Sequence, residues 1–466
     1  MTKLGQVKKS ESSGMIGLFC ISMLIIVICF GCSDSDVTYS ISGKATLGGV
    51  PLTDVTVTLT GPSTRVTTTD INGNYSFQDV EIGTYTLTPT YAGYSFSPAN
   101  RPVYLNGIDA ADFNFSAFIQ DSLVTATHTL YRKTDGTVWA WGRNNHGQLG
   151  DGTTTLSAAP LQINSLSNVA AVAVGDEHSL ALLEDGTVWA WGNNGSGQLG
   201  IGTTTDSTIP VPITTLSGVI AIAAGNAHSL ALLEDGTVWA WGNNSSGQLG
   251  IGTTTDSTVP VQITALSTEA AIAIAAGSGH SIALMSSNTV CLWGNNSVGQ
   301  LGNGTTTNYI IPSCLNISTV TAIAAGYEHT IVSLRDGTIR TWGGNSSGQL
   351  GNGTTTNSSS SVKPNLSDIA VIAAGNDHTV VLKDDGTVWA WGGNSQGQLG
   401  DGTTTGSTLP LQVSGLSGMI GIAAGYNDTL SLKSDITAQA WGYNEYGQLG
   451  DGTFDGSWTP VEVDLP

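Results

Sequence analysis

Charge is scarce in this chain, and positive charge scarcest of all. Of 466 residues 14 are Lys or Arg and 35 are Asp or Glu, leaving a net charge of −21 with only 11% charged residues. A surface so short of cations repels phosphate backbones, which excludes DNA and RNA as partners. Cysteine is rare too, at five, too few for a disulfide scaffold or a thiolate metal cage. The apolar run Met15–Phe30 spans 16 residues, short of the roughly 20 that a spanning helix needs. No Gly-x-Ser-x-Gly elbow, Walker loop, paired histidine ligands or fixed acid pair occurs, so the sequence assigns no catalytic residue, no metal and no cofactor. What abounds is glycine, at 61, with Thr, Ser and Asn, the composition of an all-β protein with many tight turns.

Lys3, Lys8 and Lys9 precede the apolar run, as in a secretory leader. The run ends in Cys29-Phe30-Gly31-Cys32-Ser33-Asp34, which resembles a bacterial lipoprotein signal. Gly31 is the small residue before the cysteine, and Cys32 would become the lipidated N-terminus; Cys29 and Phe30 depart from the usual residues of the motif. The resemblance implies residues 1–32 as signal, 33–37 as linker, and a mature protein tethered at the bacterial cell envelope, on the outer membrane or cell surface rather than the inner membrane. Cys291 and Cys314 lie 23 residues apart within one repeat. They form either a disulfide, which an export compartment permits, or two buried thiols.

Residues 38–117 alternate apolar and polar positions over Thr38–Leu47, Val55–Thr60, Arg65–Thr69, Asn74–Phe77, Thr84–Thr90 and Asp112–Ala117, with turn signals such as Gly48-Gly49, Gly61-Pro62 and Asn72-Gly73 between them. Short strands at this spacing predict a β-sandwich. The segments Gly49–Leu59, Asp70–Phe77 and Gly83–Leu87 resemble the carboxypeptidase regulatory-like domain, a transthyretin-like sandwich whose family includes carbohydrate-binding-like members. Lys44, Asn114 and Glu81 are residue types that an intramolecular isopeptide bond requires; the simpler expectation is that they face solvent.

From 119 to 466 a unit of about fifty residues returns seven times. Its Trp-Gly anchor falls at Trp141, Trp191, Trp241, Trp293, Trp342, Trp391 and Trp441. Each unit offers four short strands, and an Asp-Gly hairpin such as Asp235-Gly236 joins the second to the third. Four-stranded antiparallel units stacked round an axis make a β-propeller. The Gly-Gln-Leu-Gly, Trp-Gly and Ala-Ala-Gly-x-x-His-Ser-Leu signatures resemble the regulator of chromosome condensation repeat family, which implies a seven-bladed ring. The expected closure joins the N-terminal stretch Asp121–Thr127 to the C-terminal strands in one shared blade.

His128, His178, His228, His280, His329 and His378 occupy equivalent places, with Asp428 in the seventh. Equivalent sites on separate blades are too far apart to share an ion, so these histidines are expected to be structural, each bonding backbone of its own or the next blade. His146 is off this register and is expected to be a solvent-facing loop residue. The Asp151–Thr155 type of loop lacks the alternating carboxylates of a calcium site, and turn chemistry accounts for it.

In an antiparallel blade the Gly-x-x-His loop and the Asn-Asn-x-x-Gly-Gln-Leu-Gly loop share one face. That face varies most between copies, and variable side chains on a rigid frame suggest recognition. Tyr327, Tyr426 and Tyr446 are the expected aromatic anchors, with Glu177, Glu328, Asp377 and Glu445 as an acidic rim and Asn226 and Asn427 beside them. The expected function is a non-enzymatic, monomeric binding module for an envelope or extracellular protein or a glycan. The alternative, guanine-nucleotide exchange on a small GTPase as in founding family members, needs inserted elements that these uniform repeats lack.

Overall fold

Short strands joined by tight turns build the computed structural model, which describes residues 38–47, 50–90, 94–97, 100–119, 121–317 and 319–466. Cys32 and the leader lie outside the described residues. Among those residues no helix is long and apolar enough to cross a membrane.

The N-terminal domain is a sandwich of two sheets. One has the order Arg65–Thr68, Thr56–Thr60, Gly83–Thr90, Arg101–Leu105; the other is built round Tyr39–Leu47, which pairs with Val50–Pro51, Asn74–Val80 and, in parallel, Phe115–Ile119. The inward residues Ile41, Val57, Leu59, Phe77, Leu87 and Val103 fill one core. Two strands escaped the sequence reading. Tyr94–Ser97 is short, and Arg101–Leu105 carries Pro102, tolerated because this strand lies at a sheet edge. The last strand also runs to Ile119 rather than Ala117.

Seven four-stranded antiparallel sheets follow, each formed from consecutive strands. Blade 1 spans 122–162, blade 2 169–212, blade 3 219–262, blade 4 271–315, blade 5 320–362, blade 6 369–412 and blade 7 419–463. The expected shared blade is absent: blade 1 takes all four strands from the N-terminal side and blade 7 all four from the C-terminal side. Ser122–Thr125 pairs with His128–Arg132 across a turn of two residues, a far smaller loop-closure cost than pairing with the other end of the chain.

The ring instead closes by repeating one interface seven times. Each anchor indole is fully buried and donates Nε1–H to the carbonyl of the Gln in the preceding blade, as Trp191 does to Gln148 (2.8 Å) and Trp441 to Gln398 (2.9 Å). Trp141 does the same to Gln448 at 2.9 Å, so the last blade holds the first as every blade holds its neighbour. The glycine after Gln-Leu makes room for the indole. Gly200 has φ +70°, and a methyl group there would lie 2.8 Å from Trp241 Nε1.

Candidate binding face

The histidine series completes the same interface. Ser179 Oγ spends its one hydrogen on the Gln148 carbonyl (2.8 Å), so His128 Nε2, 2.7 Å from that oxygen, must be the donor. The pattern repeats from His178 to Ser229 (2.9 Å) through His378 to Thr429 (3.0 Å). All six rings are buried, with Nδ1 unpartnered. Burial pushes His128, His178, His228 and His329 down to about 3, and His280 and His378 to about 4, so each stays neutral. The series is structural, although each ring reaches a hydroxyl of the next blade and only through it the backbone.

At the seam between blades 7 and 1 the latch changes. Asp428 is too short to reach Thr129 as a histidine would, and accepts instead from Thr125 Oγ1 at 2.6 Å. Thr129 lies 3.0 Å from both Thr125 Oγ1 and the Gln448 carbonyl. Where the other blades have Val174, Ala224, Ala276, Ala325, Ala374 or Ala424, blade 1 has the hydroxyl that this carboxyl needs. Burial pushes the Asp428 carboxyl up to about 8.

The first strands of the blades surround an axial channel of about 410 Å³. Its wall is mostly Ala, Val and Ile, and its mouth carries Asp176, Asn226, Ser278, Tyr327, Asn376 and Tyr426. These are the first variable positions of the Gly-x-x-His loops. The carbonyl of each second position, such as Glu177, Ala227 and Glu328, accepts the first amide of the neighbouring loop, from Asn193, Asn243 and Gly344 (2.7–2.8 Å), which puts both loops on one face. Blade 1 has a shorter turn: Thr125 pairs with Thr129, whereas Val174 pairs with Ser179. It therefore lacks one rim position, and Ala126 lines the channel between the blades that carry Tyr426 and Asp176.

Away from the mouth, at the outer seam of blades 7, 1 and 2, a second cluster gathers. Arg143 pairs with Glu177 at 2.9 Å and stacks over the Tyr446 ring at 5.1 Å. Tyr446 meets Tyr443 edge-on, and the Tyr443 hydroxyl donates to Glu445 (2.7 Å). His146, expected to be a solvent-facing loop residue, lies in the loop but partly covered: its Nδ1 is 2.7 Å from Asp206 and its Nε2 3.4 Å from Glu177.

The expected recognition set thus divides. Asn226, Tyr327 and Tyr426 stand at the mouth; Glu177, Glu445 and Tyr446 belong to the seam cluster. Asp377 and Asn427 share the Gln398 side-chain amide (3.3 and 3.1 Å), and Asp377 also accepts from Ser347 (3.0 Å), which commits both to joining loops. Glu328 stands beside Gly344, where its carbonyl is bound. Asp176, Arg143 and Asp206 were missed as site residues. The signal for Arg143 was legible, since the other copies have Asn, Gly or Tyr there.

Elsewhere, Cys291 and Cys314 are bonded to each other across directly opposed positions of neighbouring strands, with Cα atoms 3.9 Å apart. The Gly-Thr-Thr-Thr loops are held by amide clamps: Asn194 Nδ2 donates to the carbonyls of Thr203 and Thr205, and its Oδ1 accepts from Leu199 N–H. Asp151 accepts from the N–H and hydroxyl of Thr153, so its carboxylate serves the turn. In the sandwich, Asn114 Oδ1 accepts from the Lys44 main chain (2.9 Å), while the Glu81 carbonyl accepts from Tyr85 in the turn between two strands.

A family model of the RCC1-like domain matches residues 215–466, and models of the regulator of chromosome condensation (RCC1) repeat match 135–182, 185–232 and 169–198. A model of the carboxypeptidase regulatory-like domain matches 40–116. Protein RCC2 of Mus musculus is 46% identical and that of Homo sapiens 43% identical over 56 residues, a stretch that covers 12% of this chain and 11% of either relative. Among solved structures, Prp20p of Saccharomyces cerevisiae shares 23% identity over 72% of this chain and 88% of its own, with TM-score 0.66. Human WBSCR16 shares 24% over 72% and 89%, with TM-score 0.61. Identities this low speak for the fold alone. With its seven latched blades and matching repeats, the chain belongs to the RCC1-like propeller family and carries a carboxypeptidase regulatory-like domain ahead of the ring.

Proposed function

We propose that this chain is a lipid-anchored, non-enzymatic binding module that presents the mouth of its propeller to a protein or glycan outside the cytoplasm, at the bacterial cell envelope. One observation carries the reading: a frame bonded alike from blade to blade, save at the seam of blades 7 and 1, holds side chains as unlike as Asp176, Asn226, Ser278 and Tyr327 at the rim. A rigid scaffold with individual side chains at one opening is how loop-based recognition surfaces are built. Tyr327 and Tyr426, each 42% exposed, have the large, partly apolar surfaces that anchor interfaces. The sandwich supports the orientation. Ile420, at the start of the first strand of blade 7, packs against the sandwich core, at the ring end opposite the mouth. The disulfide and the leader both suit an oxidising compartment.

The test uses the full chain in a bacterial host. Wild type should be recovered as a cleaved, acylated protein that partitions into detergent, and Cys32→Ala should stay unprocessed. The Tyr327→Ala/Tyr426→Ala double variant, folded and anchored like wild type, should lose the envelope partner that wild type retains. An unprocessed, cytosolic wild type would remove the anchor from the account and return nucleotide exchange on a small GTPase to contention.

A further inference from the structure

Asp176 is the only charged residue among those lining the channel. It is half-buried, and its carboxylate has no hydrogen-bond or ion-pair partner among the described residues. Arg143, the cation whose charge acts on it, is committed to Glu177 at 2.9 Å. Burial and the like charge of Glu177 both hold the Asp176 carboxyl above the usual range. A partly desolvated carboxylate without a donor is a standing cost to the free protein, and a donor bearing positive charge relieves it best. Tyr426 lines the same mouth, on the far side of blade 1, whose turn is one residue shorter. Its phenol is pushed up first by burial, then by Tyr327, Asp176 and Asp377, and both rings and the Asp176 carboxylate line the same opening. Aromatic faces next to a carboxylate attract a cation through the ring quadrupole as well as the charge.

We propose that the mouth is a receptor for one basic side chain, an arginine or lysine displayed by a polypeptide partner, with its cationic head between Asp176 and the rings of Tyr426 and Tyr327. This rests on the reading of the loop face as the binding surface and names its chemistry. Charge complementarity favours it over a sugar. A neutral hydroxyl offers Asp176 a hydrogen bond but leaves its charge, and the repulsion from Glu177, unanswered. The propeller reinforces the choice, with 8 Lys and Arg against 26 Asp and Glu over residues 119–466, a field that draws cations toward it.

The experiment titrates the full chain with N-acetyl-arginine amide, with its neutral isostere N-acetyl-citrulline amide, with spermidine, and with maltose, read by calorimetry and by amide shifts at low salt. The arginine probe should bind about tenfold more tightly than citrulline, a difference of about 1.4 kcal/mol, and more tightly than maltose. An arginine-containing peptide should bind more tightly than spermidine, which marks a polypeptide as the source. Asp176→Asn should weaken the arginine probe about tenfold, and Tyr426→Ala should weaken it as well. Asp176→Asn should also leave thermal stability unchanged or raised, because the carboxylate has no partner to lose. Equal binding of arginine and citrulline, preference for maltose or spermidine, or a fall in stability on Asp176→Asn overturns the inference. If the double tyrosine variant loses its envelope partner while arginine shows no preference, the loop-face reading stands and this inference alone fails.

Discussion

Acid should open the ring, and the six buried histidines set how far. In the folded ring burial holds them at about 3 to 4, against an ordinary value of 6.5. A folded value depressed below the unfolded one means that stability is full above about pH 6.5 and is lost as pH falls toward about 4. At pH 5.0 each histidine released by unfolding takes up a proton that the folded ring refuses, which favours the unfolded chain by about 2 kcal/mol relative to pH 7.5, or about 12 kcal/mol for six. Asp428 acts the other way. Its carboxyl is raised to about 8, so acidification over the same interval returns about 3 kcal/mol. The net loss is comparable with the whole stability of an ordinary domain, about 5–15 kcal/mol. Guanidinium unfolding followed by tryptophan fluorescence is the assay, because the seven anchor indoles are all buried at the interfaces. The midpoint should fall steeply between pH 7.5 and 5.0. A midpoint unchanged or higher at pH 5.0 would refute the neutral-histidine latch.

Three further outcomes follow from the same geometry. Gly200→Ala places a methyl group against Trp241 at φ +70° and should cost about 2–3 kcal/mol, read as a lowered denaturation midpoint. Asp428→Asn removes the group whose raised value opposes the histidines, so the variant should lose about 3 kcal/mol more than wild type between pH 7.5 and 5.0, a steeper profile, and should gain on wild type as pH rises through about 8. Reducing the Cys291–Cys314 bond, which spans 23 residues, should cost about 3 kcal/mol, and thiol titration of the oxidised native chain should find neither cysteine.

The ring was legible because each signature residue meets its own copy in the next blade. A Trp every fifty residues implies a buried indole at each of seven interfaces, and Gln-Leu-Gly supplies both its acceptor and its space. The structural role of the histidines followed from their separation, but the hydroxyl that receives each one did not, since Ser179 or Thr429 looks like any strand residue. Closure was misread because repeats alone do not say which strands share a sheet; a local hairpin at Ser122–Arg132 outcompetes a distant pairing. The two variable loops do lie on one face, as their parity implies, but the sequence did not divide their side chains. Asp377 and Asn427 brace neighbouring loops through Gln398, whereas the Asp176 carboxylate has no partner among the described residues. Only side-chain positions distinguish the two cases. In the sandwich, Pro102 hid an edge strand whose alternation was otherwise plain.

The most direct test of the central claim places a photoreactive phenylalanine at position 426, at the mouth, or at position 235, in a hairpin at the opposite end, in the full anchored chain. On illumination in intact cells, position 426 should yield a defined cross-linked partner that position 235 does not, and Asp176→Asn should weaken that product. Equal labelling from both ends, or a defined product from position 235 alone, would contradict a binding function seated at the mouth.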